Sequence, residues 1–181
     1  MKKKIQSFEI LPPQNQLNLY GYSKYFKSFV KLFENNKLPN TILLSGIKGS
    51  GKATFAYHFI NFLLSKNEEN KYSLSDFKIN PDNKSYKNVC NFTHPNFFLL
   101  NNSPHEENIK IDKVREILKF LNKSTYKSNF KIVMIDNAEY LNISSSNALL
   151  KALEEPSNNT YFFIIHNSGT EILDTIRSRS I

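Results

Sequence analysis

Thr41-Ile42-Leu43-Leu44-Ser45 runs directly into Gly46-Ile47-Lys48-Gly49-Ser50-Gly51-Lys52, and the architecture can be built outward from this join. A short apolar run between Pro39-Asn40 and a glycine predicts a buried strand feeding a tight turn. Gly46 to Lys52 fits G-x-x-x-x-G-K, and beyond it Phe55, Phe59, Phe62 and Leu63 fall on one stripe, predicting a helix over about residues 51–65. Strand, glycine-rich loop and helix in this order form a phosphate site. The glycines let backbone N–H groups converge, the helix N-terminus adds its positive dipole end, and Lys52 reaches the outer phosphates. Gly46, Gly49, Gly51, Lys52, Ala53 and Thr54 are therefore candidate nucleotide-binding residues. A glycine-rich turn that merely starts a helix is the simpler alternative, and the downstream sequence weighs against it.

Upstream, Leu11-Pro12-Pro13 closes an irregular arm over residues 1–20, and Tyr25, Phe26, Phe29, Val30, Leu32 and Phe33 recur at helical spacing. Downstream, residues 67–91 are polar and without period, which reads as a long loop or insertion. Phe97 to Leu100 predicts a second strand, and Ile111, Val114, Ile117, Leu118 and Leu121 define the helix after it. Lys131 to Asp136 predicts a third strand, apolar throughout as a central parallel strand must be. Residues 144–155 predict a helix stopped by Pro156, and Tyr161 to Ile165 a fourth strand. Alternating strands and helices imply an α/β fold, a parallel sheet covered by helices on both faces.

The chain has 181 residues, 40% of them hydrophobic and 22% charged, the balance of one soluble domain over residues 1–181. No apolar run approaches the roughly 20 residues of a membrane helix, and Met1-Lys2-Lys3-Lys4 leads into no secretory signal. The expected compartment is the cytoplasm, with no membrane partner. Cys90 is the single cysteine, which excludes an internal disulfide and a multi-cysteine zinc site. His58, His94 and His105 read as structural or surface residues. The formal charge of +8 comes mainly from lysines scattered among asparagines, so it reads as a compositional bias rather than a nucleic-acid surface.

Asp136, ending an apolar strand, stands where a carboxylate would hold the magnesium of a bound nucleotide. Two departures restrict the chemistry. Ala53 follows Lys52 where the pattern wants a Ser or Thr hydroxyl on the metal, and Thr54 lies about 100° further round the helix. Asn137 follows Asp136 where a hydrolytic enzyme places a water-activating glutamate, and an amide cannot accept that proton. Glu139, two residues on, is expected to be misaimed for the task. ATP with magnesium is thus a candidate ligand, and efficient hydrolysis is not expected.

Leu19-Tyr20-Gly21-Tyr22, Gly46 to Thr54, His94-Pro95-Asn96, Asn147-Ala148-Leu149-Leu150-Lys151-Ala152-Leu153-Glu154-Glu155-Pro156 and Thr175-Ile176-Arg177-Ser178-Arg179-Ser180 occur in a telling order. It resembles that of the delta-prime and gamma/tau subunits of bacterial clamp loaders, AAA+ proteins of the DNA polymerase III holoenzyme. The Gly51-Lys52-Ala53-Thr54 version of the loop looks like delta-prime rather than the motor subunits. The resemblance implies an AAA+ P-loop sheet and gives Lys52 the phosphate contact and Asp136 the Walker B role. His166 or Asn167 then stands in the sensor-1 region, and Arg179 matches an arginine finger acting on nucleotide held by a neighbouring subunit. Ser180 stands where the family's S-R-C motif has cysteine, and the four-cysteine zinc module of many members is absent or metal-free, since residues 67–91 hold only Cys90.

The implied function is a clamp-loader stator with weak or no ATP turnover. Its implied partners are gamma/tau-type and delta-type subunits, and through them the sliding clamp and primed DNA. An active gamma/tau-type motor, a P-loop nucleotide kinase and a helicase loader are the alternatives. The kinase is disfavoured because Arg115 is the only arginine before Arg177. In similar AAA+ modules a fifth strand, a helical lid and a collar follow the S-R-C motif. Those parts are expected to be absent from residues 1–181, leaving the 41–45 strand at an open, aggregation-prone sheet edge and weakening nucleotide affinity.

Overall fold

The computed structural model describes residues 11–102, 108–125, 130–156, 159–172 and 174–180. Four strands form one parallel sheet: β1 (Thr41–Gly46), β2 (Phe97–Leu100), β3 (Lys131–Ile135) and β4 (Thr160–Asn167), in the order β1-β4-β3-β2. β1 occupies one edge and pairs with β4 alone among the described residues, the position expected for it. Around the sheet lie α1 (Ser23–Glu34), α2 (Lys52–Leu64), α3 (Lys84–Cys90), α4 (Ile111–Leu121), α5 (Ile143–Glu154) and the short α6 (Asp174–Arg177).

Period-two alternation along the central strands builds both layers at once. Ile132, Met134, Phe163 and Ile165 pack with α1, α2 and α3 residues, whereas Val133, Ile135, Phe162 and Ile164 pack with α4, α5 and α6. Because each face carries its own helices, the middle of β3 and β4 is apolar on both faces, and all five residues of β3 are buried. Lys131 belongs to that buried set because its Nζ donates to Phe120 O at 3.0 Å, Leu121 O at 2.6 Å and Lys123 O. A cation on the last carbonyls of α4 satisfies them and complements the helix dipole.

Residues 67–91 depart from the expected irregular loop. Asn83 caps α3 by accepting from Tyr86 N at 2.6 Å, Ser73 and Lys78 form an antiparallel bridge, and Tyr72, Ile79 and Val89 are buried in the α1–α2 core. The buried positions anchor the segment at uneven spacings, so no helical or strand period marks them in the sequence.

His58 is fully buried on α2, with Nδ1 3.0 Å from the Tyr72 hydroxyl and Nε2 3.0 Å from Gln16 O. Nε2–H donates to the carbonyl, and Nδ1 accepts from the phenol, which fits the neutral ring. Burial pushes its pKa down to about 4, against a smaller opposing effect of the Gln16 carbonyl. The folded pKa lies below the unfolded value, so the stabilisation is complete above about pH 6.5 and is lost as pH falls from there towards 4. Stability is expected to drop by up to about 1.4 kcal/mol per pH unit in that window. Urea melts at pH 7.5 and 5 check this, and His58→Gln should flatten the difference. His94 and Cys90 also have structural contacts: His94 Nδ1 accepts from Asn96 N at 3.1 Å, and Cys90 Sγ donates to Gln14 O at 3.2 Å. His105 lies outside the described residues.

Candidate nucleotide-binding site

β1 delivers the chain to the carboxyl end of the sheet, where Gly46 to Gly51 turn it into α2. Gly49 and Gly51 have φ of +80° and +90°, backbone that residues with a Cβ rarely adopt. At Gly51 a Cβ would also come within 3.3 Å of the Tyr22 ring. Tyr22 crosses the loop and donates its hydroxyl to Ser50 O at 2.5 Å. With Lys48, Gly49, Ser50, Ala53 and Thr54 the loop lines a cleft of about 450 Å³, closed on another side by Leu11, Pro13, Gln16 and Tyr20 of the arm. The size suits a small ligand such as a nucleotide.

Lys52 is buried at the start of α2, and its ammonium donates to Gly46 O at 2.7 Å, Ile47 O at 2.8 Å and Asn167 Oδ1 at 3.1 Å. Asp136 follows β3 directly, its N–H tied to Leu100 O at 2.8 Å, and lines the same cleft. Asn137 adopts left-handed backbone, φ 58°, and starts a 3-10 turn over Ala138–Tyr140 that carries Glu139 back towards β4. Asn167 Nδ2 donates to Glu139 Oε1 at 2.6 Å and to Asn137 Oδ1 at 3.1 Å, while Asn167 N lies 3.4 Å from Glu139 Oε2.

Three charged groups thus share one end of the sheet. Burial lowers the Lys52 pKa, and the Glu139 and Asp136 carboxylates work against that effect. Burial also raises the Asp136 pKa, with Glu139 adding to the rise and the Asn137 N–H and Lys52 opposing it.

Of the two sensor-1 candidates, Asn167 faces Lys52. His166 points elsewhere, its Nδ1 2.9 Å from Ser45 Oγ and its Nε2 3.0 Å from Thr170 O. The alternation that puts Phe163 and Ile165 on the α2 face extends to Asn167 and would have selected it from sequence. Glu139 does not stand free as a base over the loop. Its carboxylate is engaged by Asn167, a contact that local sequence spacing does not reveal. Arg179 lies apart from the cleft residues: Nε donates to Glu154 Oε1 at 2.7 Å, Nη2 to the same oxygen, and Nη1 to Thr175 O at 2.9 Å.

A parallel sheet ordered β1-β4-β3-β2, with a phosphate loop leaving its edge strand and a carboxylate after β3, is the P-loop NTPase fold of the AAA+ class. A gamma subunit-related protein of DNA polymerase III from Thermotoga maritima shares the fold, with a TM-score of 0.60 and 22% identity over 86% of this chain and 44% of its own. The family model described as DNA polymerase III, delta subunit, matches residues 21–181, and the chain belongs to that family. DNA polymerase III subunit delta′ of Pseudomonas aeruginosa is 32% identical over 139 residues, 77% of this chain and 40% of the relative. The delta′ subunit of Escherichia coli is 26% identical over 154 residues, 85% and 44% of the two chains. DNA polymerase III subunit gamma of Buchnera aphidicola from Schizaphis graminum is 31% identical over 172 residues, 93% and 44%. The chain therefore spans about two fifths of the length of these curated relatives. No helix among the described residues is long and apolar enough to cross a membrane.

Proposed function

We propose that this chain is the nucleotide-binding core of a delta-prime-type clamp-loader subunit, a stator that assembles with gamma- and delta-type subunits to load a sliding clamp on primed DNA. The carrying observation is a phosphate loop with its machinery reduced: Ala53 stands at the magnesium-hydroxyl position and Asn137 at the water-activating position. The loop fits a polyphosphate, with the left-handed Gly49 and Gly51, the start of α2 and Lys52 all bordering the cleft. The residues fit magnesium less well, because Asp136 has no hydroxyl partner at position 53. Bound ATP would supply a triphosphate for the loop to grip, and Asp136 would orient a metal on it. In the assembled loader Arg179 would act on nucleotide held next door, where a guanidinium neutralises charge on the transferring phosphoryl group.

The full-length subunit alone is expected to turn over ATP negligibly, measured as steady-state phosphate release. Recovery should require Ala53→Ser together with Asn137→Glu, and turnover by the unaltered subunit at a motor's rate would overturn the stator reading. The gamma-type alternative draws on the Buchnera relative, and the same assay separates the two.

A further inference from the structure

Lys52 has three N–H bonds and donates to three acceptors, the carbonyls of Gly46 and Ile47 and Oδ1 of Asn167. A phosphate can recruit the ammonium only by displacing one of them or sharing its proton. The Asn167 contact, at 3.1 Å, is the longest of the three and the one set by side chains.

Asn167 is itself fixed from the opposite end. Its amide NH₂ gives one proton to Glu139 Oε1 at 2.6 Å and the other to Asn137 Oδ1 at 3.1 Å. Turning the amide over would set its carbonyl against the Glu139 carboxylate and Asn137 Oδ1 and its NH₂ against the Lys52 ammonium, three repulsive pairings in place of three attractive ones. Glu139, the charged and nearer of the two acceptors, is the stronger hold on the NH₂ end that leaves the carbonyl facing the loop lysine.

We propose that Glu139 is a positioning residue that clamps Asn167 onto Lys52 and so weakens the grip of the loop on nucleotide phosphates. The inference rests on reading this loop as a nucleotide site, and it makes low affinity a built-in property of the Glu139–Asn167–Lys52 chain, separate from the absent magnesium hydroxyl.

The test is the affinity of the full-length subunit for ADP and ATP, by calorimetry or a fluorescent analogue, in the unaltered protein and in Glu139→Ala and Glu139→Gln. Loss of one hydrogen bond to a charged group is worth about tenfold. Glu139→Ala should therefore bind about tenfold more tightly. Glu139→Gln removes the charge but keeps an oxygen that accepts from Asn167 Nδ2, so it should stay within about threefold of the unaltered protein. Asn167→Ala, which removes the Lys52 contact directly, should tighten binding as Glu139→Ala does and serves if the latter fails to fold. Unchanged affinity in Glu139→Ala, equal tightening in Glu139→Gln, or no binding by any variant overturns the clamp. Adding Lys52→Ala separates the two readings. Lys52-dependent binding that ignores Glu139 sinks the clamp alone, whereas binding indifferent to Lys52 sinks the nucleotide site itself.

Discussion

Phe26→Ala is expected to cost about 3–5 kcal/mol of folding stability, the range for emptying a buried phenylalanine site. The ring is fully buried and sits with its centroid 5.8, 5.5 and 6.1 Å from those of Phe55, Phe59 and Phe62 on α2. It also stacks on Tyr72 at 5.1 Å and meets Phe77 edge-on at 5.8 Å. One side chain of α1 thus joins the helix that begins at the phosphate loop to the segment over residues 67–91, and no neighbour can fill the gap without leaving its own packing. The measurement is a shift of the urea midpoint at constant m-value. A loss under about 1.5 kcal/mol would show that the cluster collapses around the gap, and that Phe26 does not hold these three segments together.

Arg179→Ala is expected to lower ATP turnover by the reconstituted clamp loader by about tenfold or more, since an arginine supplied to a neighbouring site is worth several orders of magnitude in other phosphoryl-transfer systems. The same change should leave the subunit's own stability within about 1 kcal/mol, because the partly exposed pair with Glu154 contributes little. The contact has a second consequence. Glu154, at the end of α5, holds Nε and Nη2 and so fixes the guanidinium on the surface beside α6. To reach a phosphate it must exchange one carboxylate oxygen for another anion, a swap that is electrostatically balanced. Arg179→Lys should fail to restore turnover, because an ammonium lacks the planar fork. Unchanged turnover in Arg179→Ala would leave Arg179 as a cap on Thr175 O and a partner of Glu154, nothing more.

The sheet and its helices were legible because burial on both faces writes itself locally: Ile132 to Ile135 and Tyr161 to Ile165 are continuous apolar runs, and α1, α2 and α4 carry their stripes. The phosphate loop was legible for the same reason, as one uninterrupted segment between a strand and a helix. What escaped is made of pairs distant in the chain. Tyr22 on Ser50 O, Glu139 on Asn167 and Asn83 with Asn61 join polar residues on different segments, and no hydrophobic period records such contacts. The 67–91 segment carries no period in the sequence because Tyr72, Ile79 and Val89 anchor it at uneven intervals, and the short α3 is set by its Asn83 cap. That Asn167 rather than His166 faces Lys52 follows from the strand alternation, since counting by twos from Phe163 leads to Asn167.

The most direct test of the central claim is whether the full-length subunit assembles. Mixed with purified gamma-type and delta-type subunits of the same organism and passed over a sizing column, it should co-elute with both in one complex. That complex should turn over ATP faster on adding clamp and primed DNA, with the increase dependent on Arg179. Elution of this subunit alone, with gamma- and delta-type subunits forming a fully active loader without it, would contradict the account.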